Sequence, residues 1–293
     1  CLLAIKGSVL VVADLVLSYT DKGDVQIHIK GTTQRLPQAI VVGVRKSGTR
    51  ALLEFLNMHS QIRAAKEEIH YFDNEDNYRN GIEWYRKRMP FSFPDQITIE
   101  KSPAYFITEG VPERIAAMNS SVKLMVIVKN PTKRTISDYT QVHFNKLSRN
   151  KSHSSFEELA IDQATGVVNT HLKAIRTSLY HRHLERWLNV FNRNQILIVD
   201  GDALITNPIP QIKRVEDFLG LENQITRDNF YFNKTKGFYC MKDNGQDHCL
   251  GSGKGRKHPD VDPSVIHKLN KFFHPHNEKF FDMVGQRLDW PKV

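Results

Sequence analysis

The sequence predicts an α/β fold, a mostly parallel sheet flanked by helices, and two observations carry that reading. Short apolar runs are each followed by a turn and then by a helical stretch, which is the alternation of a parallel sheet with helices on its faces. The first of those turns contains glycine and has three basic residues around it, at the junction of a strand and a helix. Composition agrees: 293 residues with 40% hydrophobic and 25% charged content suit an ordinary globular domain. Collagen-like, coiled-coil and polytopic membrane classes are excluded on the same numbers.

Each element has its own justification. Ala39-Ile-Val-Val-Gly-Val44 reads as a buried parallel strand, and Thr49 to Met58 as a helix through Leu52, Leu53 and Leu56. Ile97-Thr-Ile99 is a further strand, followed by Glu100. Lys123-Leu-Met-Val-Ile-Val128 is another buried strand, leading through Asn130-Pro131 into a polar helix from Thr132. Gln195-Ile-Leu-Ile-Val199 precedes Pro208 and an amphipathic helix from Ile212 to Leu219. Tyr180, Leu184, Trp187, Leu188 and Phe191 fall at helical spacing and are core residues. The stretch from Phe230 to His258, aromatic and glycine-rich, reads as a hairpin and loop over the sheet. The compact domain is expected to span residues 36–293. Residues 1–35 form an N-terminal segment, and the polar stretch from Asp21 to Gln38 reads as a linker into the domain. For Leu2 to Tyr19, interrupted by Lys6 and Asp14, two readings stay open: a signal or anchor remnant, and a short strand or amphipathic helix.

Lys and Arg number 41 against 32 Asp and Glu, a net charge of +9 that predicts an anionic partner without choosing it. Of the three cysteines, Cys240 and Cys249 enclose a short polar turn that can bring two strands within disulfide distance. Free thiols are the alternative, and a metal site lacks the ligand set. The sequons at Asn119, Asn150 and Asn233 tilt the choice toward a secretory route and a disulfide.

Gly43-Val-Arg-Lys-Ser-Gly48-Thr49-Arg50 joins the first strand to the first helix. Such a turn aims backbone N–H groups and a helix dipole at one point, a cradle for phosphate or sulfate. Lys46 sits inside the loop, and Thr49-Arg50 follows Gly48, so the Lys-Ser/Thr pair of nucleotide kinases is missing. Solvated charges on a tight turn are the bland reading, and three basic groups around one turn argue against it.

This loop, with Val128-Lys-Asn-Pro131, Cys240 and Lys254-Gly-Arg256, resembles the sulfotransferases that modify heparan sulfate. The sequence is most similar to the heparan sulfate glucosamine 3-O-sulfotransferases, through Lys66-Glu-Glu-Ile-His-Tyr-Phe-Asp73, Glu100-Lys-Ser-Pro-Ala-Tyr105 and Asp138-Tyr-Thr-Gln141. Ile198-Val-Asp-Gly-Asp202 and Phe230 to Cys240 match as well, so the likeness runs from about Leu36 to Trp290. It implies a single, P-loop-like sulfotransferase domain that uses 3′-phosphoadenosine 5′-phosphosulfate (PAPS) as donor and heparan sulfate as acceptor. No metal is implied. Nucleic acid is not an expected partner, since no recognition signature for it is present. The Golgi lumen or secretion is the implied location, with membrane association only through an N-terminal anchor.

The resemblance also implies roles. Glu68 is the general base, His70 and Asp73 its supporting pair, and Lys46 the cation at the bridging oxygen. Arg45, Ser47, Gly48, Thr49 and Arg50 surround the 5′-phosphosulfate, while Lys129 and Ser137 hold the 3′-phosphate. Tyr239, Lys254, Gly255 and Arg256 form a second donor segment, ordered by the Cys240–Cys249 disulfide. Lys101 and Gln141 contact the acceptor, with Arg50, Lys254 and Arg256 facing its sulfates or carboxylates, and Glu68 and His70 beside its hydroxyl. Three departures from the family stand out: Lys129 replaces Arg, Asn130 replaces Asp, and Ser47 replaces Gly. Serine suits that position only if the backbone there does not need positive φ. Three other functions remain to be weighed: glucosaminyl N-sulfation, a P-loop nucleotide kinase, and a heparin-binding protein without catalysis.

Overall fold

The computed structural model describes residues 15–19, 25–152, 154–243, 246–251 and 255–292. Its centre is a five-stranded sheet of β1 (Ala39–Gly43), β2 (Ile62–Ala64), β3 (Ile97–Lys101), β4 (Lys123–Val128) and β5 (Ile196–Asp200). The order is β2-β3-β1-β4-β5, and every pair is parallel. β1 lies between strands reached in opposite directions, so the crevice beyond its carboxyl end is the topological switch point where such sheets bind ligands.

The apolar runs are buried on both faces because helices cover both. Alternate residues go to opposite sides. Ile40, Val42, Leu124, Val126, Ile196 and Ile198 pack with Tyr180, Leu184, Trp187, Phe280 and Phe281. Ala39, Val41, Met125, Ile127 and Val199 pack instead with Leu52, Leu53, Leu56, Ile212, Val215 and Leu219. The first face is covered by α3 (Tyr180–Leu188) and α5 (Pro263–Val284), the second by α1 (Thr49–Leu56) and α4 (Pro208–Leu219). α2 (Pro131–Leu147) leaves the carboxyl end of β4. Its Asn130 cap accepts the Lys133 N–H at 2.9 Å, so Asn serves the helix terminus as Asp would.

Four features go beyond the sequence reading. β2 has only three residues, too few for a periodic signal. α5 runs 22 residues despite Pro275 inside it, started by the Asp262 cap and Pro263. The stretch read as a linker contains the strand Val25–Ile29, paired antiparallel with Leu15–Tyr19, and Thr33–Gln34 pairs with Phe91–Ser92. Most of the N-terminal stretch, residues 1–14, lies outside the described residues. The expected hairpin is a three-stranded antiparallel sheet of β6 (Phe230–Asn233), β7 (Phe238–Asp243) and β8 (Gln246–His248). Cys240 and Cys249 are joined in a disulfide with Cα atoms 4.6 Å apart.

Candidate active site

The loop after β1 is built by backbone conformation first. The Val44 N–H donates to the Ile127 carbonyl at 2.8 Å, and the Ser47 N–H closes a turn onto Val44 at 3.0 Å. Lys46 and Gly48 take the left-handed positions, with φ of 73° and 114°; Ser47 is not one of them, so serine is accommodated there. At φ of 114° a side chain on residue 48 would be strained, which is why glycine opens α1. The Ser47 hydroxyl is buried without a well-formed hydrogen bond among the described residues, beside the Tyr180 hydroxyl. The first N–H groups of α1, from Thr49 onward, have no acceptor within the helix. An orphaned hydroxyl, a left-handed turn and free helix-terminal donors together fit a phosphate- or sulfate-bearing ligand.

Side chains from α2 hold the loop in place. Arg134 is fully buried; it donates to the Arg45 carbonyl at 3.1 Å, to Ser178 Oγ at 2.6 Å and to Asp138 at 3.0 Å. Asp138 in turn accepts from Arg45 Nε at 3.0 Å. One buried arginine therefore fixes both the backbone and, through Asp138, the side chain of Arg45. Lys46 Nζ reaches Gln141 Oε1 at 3.4 Å. Arg50 turns toward Glu54 at 2.7 Å and the Lys66 carbonyl.

A carboxylate–histidine–carboxylate row stands on the segment after β2. His70 Nδ1 is 2.9 Å from Asp73, and its Nε2 is 3.5 Å from Glu68. Lys101, only 1% exposed at the end of β3, makes a close ion pair with Glu68. It lies beneath the carboxylate rather than in the open cleft. Glu68 is held down at about 2, first by the His70 hydrogen bond, against the opposing effect of burial, and then by Lys101. His70 is pushed up to about 10, first by its bond to Asp73 and then by Glu68. The signs give a pH window. The raised His70 contributes stability that is complete below 6.5 and lost as pH rises through about 10. The lowered Glu68 contributes stability that is complete above 4.5 and lost as pH falls through about 2. Asp73→Asn removes the largest cause of the His70 shift. An NMR titration of His70 in that variant then shows a midpoint well below 10, toward 6.5; an unmoved midpoint contradicts the assignment.

Loop and row open onto one cavity of about 600 Å³. Its wall includes Arg45, Lys46, Ser47, Gly48, Thr49, Arg50, Glu68, His70, Lys129, Ser137, Gln141, Tyr239, Gly255 and Arg256. Asp73 and Lys101 act from behind this wall. Lys254 lies outside the described residues. Lys129 is tied at its backbone to the Tyr180 hydroxyl at 2.7 Å, and burial lowers its ammonium pKa, with Asp202 opposing.

Three participants were not legible in the sequence. His258 lines the cavity, its pKa lowered by burial and then by Lys129 and Lys46. Its position two residues beyond Lys254-Gly-Arg256 was the available signal. Arg134 sits in a run of polar helix residues with no mark of burial. Glu100 is buried under the row, its carboxyl pushed up to about 7 by desolvation. It accepts from the Ser102 hydroxyl, whose oxygen accepts the His70 N–H at 3.0 Å.

Comparisons with known proteins identify the family and the fold. The sulfotransferase domain family matches residues 36–283. A sulfotransferase from Alicyclobacillus acidocaldarius superposes with a TM-score of 0.60 over 87% of this chain and 98% of its own, at 18% identity, which shows the fold. Heparan sulfate glucosamine 3-O-sulfotransferase 5 of Mus musculus is 60% identical over 267 residues, 91% of this chain and 77% of that protein. Heparan sulfate glucosamine 3-O-sulfotransferase 3A1 of Mus musculus is 44% identical over 272 residues, 92% of this chain and 68% of that protein. With a glycine cradle at the switch strand and a carboxylate row facing it, this chain belongs to the heparan sulfate glucosamine 3-O-sulfotransferase family of sulfotransferases.

Proposed function

We propose that the chain transfers a sulfuryl group from PAPS to the 3-hydroxyl of glucosamine residues in heparan sulfate, with Glu68 as general base. The observation that carries this reading is the shared cavity, in which Lys46 on the cradle and Glu68 on the row line one space. PAPS, when bound, supplies a sulfuryl group joined to a phosphate leaving group. The new bond forms between the acceptor oxygen and sulfur, the bridging S–O bond breaks, and the hydroxyl proton passes to Glu68. Lys46 meets the charge that develops on the departing phosphate. Arg45, Ser47, Gly48, Thr49 and Arg50 orient the 5′-phosphosulfate, while Lys129 and Ser137 take the 3′-phosphate. As a point charge, Lys129 binds that group without the bidentate fork of arginine. Tyr239, Gly255 and Arg256 close the donor side, and Lys254 is assigned with them.

Acceptor recognition falls to Gln141, Arg256 and Arg50, with Glu68 and His70 at the reacting hydroxyl; Lys101, expected to touch the acceptor, is buried behind the wall and serves through Glu68. A carboxylate held at about 2 is a weak proton acceptor. Lys101, buried beneath Glu68, keeps that carboxylate ionised and in place. Asp73 keeps His70 charged and oriented, so the imidazolium steadies Glu68 without itself titrating near neutral pH. The disulfide and the three sequons support a secretory enzyme working in the Golgi lumen. Among the described residues no helix is long and apolar enough to cross a membrane.

Nucleotide preference tests the donor assignment. 3′-Phosphoadenosine 5′-phosphate is expected to raise the unfolding temperature more than ATP with magnesium at equal concentration. At about 100 times its Kd a ligand stabilises by about 2.7 kcal/mol, ample to detect. A larger shift with ATP and magnesium overturns the reading in favour of a kinase.

A further inference from the structure

The outer end of α2 leaves Val142, Phe144 and Leu147 in solvent, with Phe144 49% exposed. Phe144 lies three residues beyond Gln141, on the same side of the helix. Its ring carries a charge: the guanidinium carbon of Arg256 sits 4.4 Å from the ring centroid. The same guanidinium donates to Gln141 Oε1 at 2.6 Å, and Lys46 reaches that oxygen at 3.4 Å. Gln141 is itself anchored, its amide donating to Asn145 at 2.9 Å. Two cationic side chains thus converge on one carbonyl oxygen, Arg256 at 2.6 Å and Lys46 at 3.4 Å.

Arg256 comes to this point from the far side of the cleft. Gly255, with φ of 69°, packs so tightly on the Phe238 ring that a Cβ there would lie 2.7 Å from it. The backbone is therefore pinned to the hairpin sheet, and the side chain must span the cleft to α2. A long side chain has many rotamers, and holding one of them costs entropy. The aromatic face supplies a second contact that fixes the plane of the guanidinium as well as its reach.

We propose that Phe144 is a positioning residue for the acceptor: its ring holds Arg256 across the cleft, where the guanidinium meets a sulfate or carboxylate of the polysaccharide beside Lys46. This inference rests on the acceptor assignment made above. Phe144 does not line the cavity and acts through Arg256.

The test is binding of a heparan sulfate octasaccharide, by calorimetry, to the full chain saturated with 3′-phosphoadenosine 5′-phosphate. Phe144→Ala and Phe144→Leu are expected to weaken binding about two- to fivefold, the size of an exposed cation–π contact. Phe144→Tyr, which keeps the ring, is expected to bind as the unaltered chain does. The dependence of affinity on salt should also become shallower in the Ala and Leu variants, because one ionic contact is no longer made. A merely structural loss would not move that slope. In turnover, the change is expected in KM for the polysaccharide and not in kcat. Phe144→Leu keeps apolar bulk, so it carries the test should Phe144→Ala fold poorly. Equal affinity and equal salt slope across all variants overturn the inference. Absence of octasaccharide binding by the unaltered chain overturns the acceptor assignment instead.

Discussion

Glu68→Gln is expected to lower kcat about 10²–10⁴-fold, the contribution of a positioned general base. The substitution keeps the size of the side chain and an oxygen for Lys101, but the amide cannot take the hydroxyl proton. Because Glu68 does not belong to the cradle, binding of 3′-phosphoadenosine 5′-phosphate should persist, visible as an unchanged thermal shift. The loss is therefore expected in turnover alone. Rates near those of the unaltered chain would remove Glu68 from the chemistry and leave it as a structural partner of Lys101. His70 should respond as well, since Glu68 is the second cause of its raised pKa after Asp73. Its midpoint is expected to fall below 10 in the Gln variant, a check that the carboxylate and not merely the contact has been lost.

Lys46→Met is expected to cost about 10²–10³-fold in kcat, the magnitude of losing one donor aimed at developing charge. Methionine is unbranched at Cβ, so it adds little to the strain of the left-handed position that Lys46 already occupies. Nucleotide affinity should weaken less than turnover, because the charge Lys46 answers grows as the bridging bond breaks. Arg45, Arg256 and the helix terminus remain to hold the ground state. A variant with full kcat and only a raised KM for PAPS would assign Lys46 to uniform binding.

Parallel strands announce themselves, and helix boundaries less so. Residues 39–43 and 124–128 carry no polar side chain because helices cover both faces, a pattern with few competing explanations. Ile62–Ala64 is too short to carry any pattern, and α5 hides its apolar stripe among histidines and lysines around Pro275. Strands in the polar stretch before residue 36 were obscured for a similar reason: Val25, Ile27 and Ile29 alternate with polar residues over only five positions.

For the site, the glycine turn was legible from physical chemistry alone, since strand, turn and helix N-terminus are adjacent in the chain. Glu68 was not, because Lys66-Glu-Glu reads equally as an exposed charge run; family resemblance singled it out. Its relation to Lys101 joins residues 33 positions apart and needs the β2-β3-β1 order to exist. The same holds for Arg134, whose burial follows from packing of α2 against Ser178 and the loop. Tertiary contacts of this kind leave no local trace in composition or spacing.

The central claim is the reaction itself, and the most direct measurement is incubation of the chain with 35S-labelled PAPS and heparan sulfate, followed by mapping of the sulfated position. Label on the 3-hydroxyl of glucosamine, lost in Glu68→Gln, is the predicted result. Label on the glucosamine nitrogen, or no transfer while the polysaccharide binds, would contradict it.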